Sequence, residues 1–142
     1  MASYNNQDKQ KIIFSAYMTP KYKVNDLVDF DITEHSQVCV DDLKIKTNWE
    51  DNKLIEAKYQ ASGCAIFLAS VDIMINSLIN KSKTEINKIL DLYFSMINLD
   101  NILQEDKNSL GELQVFENVK VHLNRLECAS IIYRAMKRVV NG

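Results

Sequence analysis

The chain has 142 residues and a mass of 16.4 kDa, with 46% apolar and 25% charged residues and a formal charge of −2. These values exclude a disordered or low-complexity chain and predict one domain spanning residues 1–142, with enough surface to bury a core. The balanced, slightly acidic charge gives no electrostatic reason to expect nucleic acid or an anionic membrane as partner, and three glycines and one proline leave no room for a phosphate-binding glycine loop.

In chain order, residues 7–18 read as a helix. Asn5 or Asn6 can cap it, Ile12, Ile13, Ala16 and Tyr17 supply an apolar face, and Pro20 follows its end. Residues 27–33 alternate roughly and predict a strand. Leu43, Ile45 and Thr47 alternate with Lys44 and Lys46 in a second. Asp51-Asn52-Lys53 is a turn, and Ile55, Ala57 and Tyr59 alternate in the returning strand.

After Gly63 the period lengthens to that of a helix, with Ala65, Leu68, Ala69, Asp72 and Ile73, ending near Ile79. Its longest apolar stretch is too short and too polar to span a bilayer. Ser82 and Glu85 have capping-box spacing, opening a helix with Ile86, Ile89, Leu90, Tyr93, Phe94 and Ile97 at core positions. Ser109 and Glu112 repeat that spacing and predict another helical turn. A last helix from about Arg125 buries Cys128, Ala129, Ile131, Ile132, Ala135, Met136 and Val139. The expected class is α+β: a small antiparallel sheet of about three strands, covered on one face by helices.

The three cysteines form no C-x-x-C pair, and the polar N-terminus has no apolar signal core. Both predict a reducing, cytoplasmic setting. Cys39 falls in the connection between two strands, Cys64 where a strand hands over to a helix, and Cys128 in the first turn of the last helix. The positive end of a helix favours thiolate at the latter two. As a bare pattern, the three also read as small hydrophobes of a core.

The residues around them carry more. Ala61-Ser62-Gly63-Cys64-Ala65-Ile66-x-x-Ala69-Ser70-x-x-x-Met74 resembles the signature of the SufU/IscU/NifU-type iron–sulfur cluster assembly proteins. Leu110-Gly111-Glu112-Leu113 lies 18 residues before Cys128, as in the SufU branch. Arg125-Leu126-Glu127-Cys128-Ala129 is similar to that branch's R-x-K-C-A, and Ile12-Ile13 through Tyr17-Met18-Thr19-Pro20 resembles its first helix. The chain departs from the pattern at Ser36-Gln37-Val38-Cys39-Val40-Asp41, where the family reads N-P-x-C-G-D. It also has Glu127 where IscU-type proteins carry a histidine. Neither His35 nor His122 matches a family ligand, and both read as surface or loop residues.

The resemblance implies that Cys39, Asp41, Cys64 and Cys128 are metal ligands, a set suited to zinc, with Arg125 beside the metal and the partner enzyme. Without it, Asp41 reads as a solvated loop acid. It further implies a zinc-dependent sulfur acceptor, taking persulfide sulfur onto Cys39 from a PLP-dependent, SufS-like cysteine desulfurase. The alternatives are a scaffold for a [2Fe–2S] cluster on the same ligands, and a degenerate interaction domain whose metal is only structural.

Overall fold

A computed structural model describes residues 5–36, 41–98 and 102–142. Helix α1 (Asn6–Met18) leads into strands β1 (Ile32–His35), β2 (Asp42–Glu50) and β3 (Lys53–Ser62). Helices α2 (Ala65–Leu78), α3 (Lys83–Asn98), the short α4 (Gln104–Ser109) and α5 (Leu123–Asn141) follow, with 3₁₀ turns at Gly111–Phe116 and Val119–Val121 before α5. The three strands form one antiparallel sheet in the order β1-β2-β3. Among the described residues, no helix is long and apolar enough to cross a membrane.

Local chemistry accounts for most of the elements. The Asn5 side chain accepts the Asp8 N–H at 2.8 Å, a cap that contributes about 1 kcal/mol. The β2–β3 turn places both Asp51 and Asn52 at positive φ, the two-residue hairpin geometry that Asp and Asn tolerate best. The capping box at α3 forms in both directions: Ser82 Oγ accepts the Glu85 N–H and Glu85 accepts the Ser82 N–H.

The centre of the fold is α2. It is buried nearly all round, from Phe67 to Ile75, and packs against α1, α5, β3 and the Gly111–Phe116 turn. Leu43, Ile45, Leu54, Ala57 and Tyr59 line the inner face of the sheet and join a continuous core with Leu90, Tyr93, Phe116, Ile131, Ile132 and Met136. Asp72 of α2 ties this core to the chain after α1. Its carboxylate accepts the Lys21 and Tyr22 N–H groups and the Tyr59 hydroxyl at 3.0–3.1 Å.

Five expectations need correction. The strand foreseen at 27–33 is only Ile32–His35. Upstream of it, the Asp31 N–H donates to the Ile45 carbonyl, the Asp31 carboxylate accepts the Thr47 N–H and hydroxyl, and the Leu27 N–H goes to the Gln60 side chain, so 27–31 is held to the sheet by mixed backbone and side-chain bonds and is not part of the strand. In β3, Glu56 pairs with Asn48 but Leu54 with Trp49. The bulge skips Ile55, turning it outward at 43% exposure and Leu54 inward. Phe94 is also outward, 41% exposed and stacked on Tyr133. The Ser109/Glu112 box does not form, because Ser109 ends α4 and its hydroxyl donates to the Asp106 carbonyl. Finally, α5 starts at Leu123, so Cys128 is in its second turn, beyond the strongest effect of the helix end.

Candidate metal centre

The site forms where the β1–β2 connection, the β3–α2 junction and α5 meet. The Ser36 N–H donates to the Asp41 carbonyl at 3.0 Å, closing the root of the β1–β2 hairpin, and Asp41 enters β2 from there. Asp41 is no solvated loop acid: it is 3% exposed. One carboxylate oxygen, Oδ1, accepts the Cys64 N–H at 3.1 Å, and Oδ2 accepts the Cys128 S–H at 3.2 Å.

Cys64 is the N-cap of α2. Its Sγ accepts the Phe67 N–H at 3.4 Å, one of the donors a helix start leaves unpaired. Gly63, immediately before it, is at φ +156°. Cys128 is 2% exposed, next to Ala129, whose carbonyl is held by the buried Tyr93 hydroxyl at 2.7 Å. The Cys64 thiol, which is exposed, donates to Cys128 Sγ at 3.2 Å. Burial pushes the Cys128 thiol well above its ordinary pKa, and neighbouring Cys64 and Asp41 add to the shift. Without a metal, the cluster is thus a chain of hydrogen bonds, from Cys64 to Cys128 and from Cys128 to the Asp41 carboxylate.

One ligand atom from each of Asp41, Cys64 and Cys128 lies within 4.8 Å of the other two. A tetrahedral zinc, with Zn–S of about 2.3 Å, would hold two sulfurs about 3.8 Å apart and a carboxylate oxygen about 3.5 Å from each. The observed 3.2 Å spacings need only a few tenths of an ångström of outward movement. Two sulfurs and one carboxylate oxygen, converging with Asp41 and Cys128 buried and Cys64 at the surface, fit such an ion and leave a fourth position.

Of the residues expected at the site, Asp41, Cys64 and Cys128 come together. Cys39 lies outside the described residues, two positions before Asp41. Arg125 is exposed on α5, one turn before Cys128. The histidines do not join the group: His35 is exposed and its Nδ1 pairs with the Asp42 carboxylate, and His122 is exposed at the start of α5. Two features had no assigned role in the sequence reading. Gly63 leaves the space that the Asp41 carboxylate fills, and its sequence signal is its place before Cys64 in the Ala61-Ser62-Gly63-Cys64 motif. Glu127, beside Cys128, turns to Arg134, which holds both carboxylate oxygens at 2.9–3.0 Å. That pair is seven residues apart and has no distinctive spacing.

Comparison with known proteins places the sequence and the fold. The profile of the NifU-like N-terminal domain matches residues 8–129. The zinc-dependent sulfurtransferase SufU of Bacillus subtilis is 21% identical over 133 residues, covering 92% of this chain and 88% of that protein. An iron–sulfur cluster assembly scaffold protein IscU from Streptococcus pyogenes serotype M1 is 24% identical over 107 residues. That match covers 75% of this chain and 65% of the IscU protein, just under two thirds of its length. A crystal structure from Fervidobacterium islandicum AW-1, described as an iron–sulfur cluster assembly scaffold for the SUF system, superposes with a TM-score of 0.76 at 21% identity. It covers 92% of this chain and 94% of that one, which shows the shared fold. With the profile spanning most of the chain, and the fold and the Asp-Cys-Cys cluster in agreement, the chain belongs to the NifU-like N-terminal domain family.

Proposed function

We propose that this protein is a zinc-dependent sulfur acceptor for iron–sulfur cluster assembly, loaded by a cysteine desulfurase in a reducing compartment and working as one domain. The observation that carries the reading is the convergence of Asp41, Cys64 and Cys128 on one point, with donor atoms spaced for a tetrahedral ion. Cys39 completes the set as fourth ligand and acceptor. Bound zinc would keep the thiols ionised at neutral pH, displacing the protons that otherwise hold the cluster together as hydrogen bonds.

In the transfer step, the Cys39 thiolate attacks the outer sulfur of the desulfurase persulfide. The new S–S bond leaves Cys39 as a persulfide, and the desulfurase cysteine departs as thiolate. Cys128, buried on α5, and Cys64, fixed as a helix cap, keep the site in place while Cys39 reacts. Arg125, exposed one turn before Cys128, is suited to meet the partner enzyme.

A second reading, a [2Fe–2S] scaffold on the same ligands, is supported by the scaffold name of the IscU relative. The absence of a histidine beside Cys128 favours the acceptor. Protein purified without added metal and analysed for elements tests both: one zinc per chain supports the acceptor. A stable visible chromophore with stoichiometric iron, formed from iron and sulfide in competition with zinc, would replace it with the scaffold. An Asp41→Ala protein that keeps zinc at unchanged affinity would remove Asp41 from the site.

A further inference from the structure

The β1 end of the hairpin that leads into Asp41 is tied to the segment that carries Cys128 by the Arg134 side chain. Arg134 grips both oxygens of Glu127, the residue before Cys128, with Nη1–Oε1 3.0 Å and Nη2–Oε2 2.9 Å. The same Nη2 donates to the carbonyl of His35, the last residue of β1, at 3.3 Å. Glu34, on the same strand, lies 3.9 Å from Arg134 Nε. A planar guanidinium is the one side chain able to hold a carboxylate with two parallel bonds and still donate to a third acceptor.

Arg138, one turn later, makes a different set of contacts. Its Nη1 reaches Glu34 and the Thr33 carbonyl, on the same strand but away from Glu127. Arg134, by contrast, joins the hairpin root to the neighbour of Cys128.

We propose that Arg134 is a positioning residue for the metal centre: it sets the distance between the hairpin root that carries Asp41 and the α5 segment that carries Cys128 by holding His35 and Glu127 together. This rests on the metal reading of the site. It accounts for an acidic residue at position 127, since Glu127 is occupied as the anchor for Arg134. The grip also orients the first turns of α5 against β1, so its loss loosens the cluster without opening the core behind it.

The test compares wild type, Arg134→Gln, Arg134→Lys and Arg138→Gln, each loaded with cobalt(II) alone. The readouts are the thiolate-to-cobalt and ligand-field absorption, and zinc affinity by competition with a chromophoric chelator. Metal-free melting temperatures control for global folding. Arg134→Gln is expected to shift the cobalt spectrum and weaken zinc about tenfold or more, the usual loss when an outer-shell partner of a ligand is removed. Arg134→Lys, which keeps the charge and loses the fork, should recover only part. Arg138→Gln should keep the wild-type spectrum. An Arg134→Gln spectrum and affinity equal to wild type would overturn the proposal, as would an equal change in Arg138→Gln.

A second arm needs no metal: maleimide labelling of Cys128 in the metal-free proteins. Arg134→Gln should label faster at a similar melting temperature, and an unchanged rate would also overturn the proposal. If wild type takes up neither cobalt nor zinc, the metal reading fails by itself, and the labelling arm still decides the role of Arg134.

Discussion

The absence of a side chain at Gly63 is what lets the Asp41 carboxylate reach the cluster. A Cβ built on Gly63 would lie 2.1 Å from Asp41 Oδ1 and 2.7 Å from the Phe67 ring, and the backbone there is at φ +156°. Gly63→Ala therefore meets both a steric clash and a conformation that L side chains rarely adopt. We expect it to lose about tenfold or more in zinc affinity, measured by chelator competition, and roughly 1–3 kcal/mol of stability from backbone strain. Wild-type affinity in this variant would show that Asp41 does not depend on the space at Gly63.

Sulfur transferred from a desulfurase and free cysteine should map to the Cys39 peptide. Cys128 is buried, and Cys64, though exposed, uses its Sγ as the cap of α2, so reaction at either disturbs the packing or the cap. Peptide mass mapping under non-reducing conditions checks this. Sulfur found mainly on Cys64 or Cys128, or undiminished transfer by Cys39→Ser, would assign the acceptor elsewhere.

The metal-free protein should lose stability as the pH rises above about 9, the ordinary pKa of a cysteine thiol. Burial raises the Cys128 thiol in the folded state, so in this range the unfolded chain has released a proton that the folded chain retains. The stabilisation is complete below the unfolded pKa and is lost as pH climbs toward the folded one, at no more than about 1.4 kcal/mol per pH unit. Tyr59 and Tyr93 are also raised by burial, and their own effect begins above about pH 10, the ordinary tyrosine value. Urea melts between pH 8 and 10 under reducing conditions should show the slope in wild type and lack it in Cys128→Ala. Zinc should flatten it, because the bound thiols are already ionised.

Asp72→Ala should destabilise the fold without touching the cluster. It leaves the Lys21 and Tyr22 N–H groups and the Tyr59 hydroxyl without their common acceptor, which costs roughly 3 kcal/mol. Thermal melting should register a drop of roughly 10 °C. A variant that also loses zinc affinity at temperatures where it is fully folded would link Asp72 to the site.

What the sequence by itself determined is what depends on near neighbours. The caps at Asn5 and Ser82 and the Asp51-Asn52 turn are set by residues within four positions of one another, and the helical periods of α2, α3 and α5 repeat over short spans. Each was legible because its chemistry is local. The cysteines and Asp41 were legible as candidates only through the resemblance of the residues around them to a known family. The tertiary structure alone decided what lies across long separations. Asp41 and Cys128 are 87 residues apart, and Asp41 is buried only because α5 and the Gly63 corner close over it. Alternation at Ile55 and helical spacing at Phe94 mark apolar residues without saying which face meets a partner. A bulge opposite Asn48 and Trp49 turned Ile55 to solvent, and Phe94 found Tyr133 on the surface instead of the core. The grip of Arg134 on His35, 99 residues earlier, has no local signature either, because a hydrogen bond between distant segments exists only once the chain has brought them together.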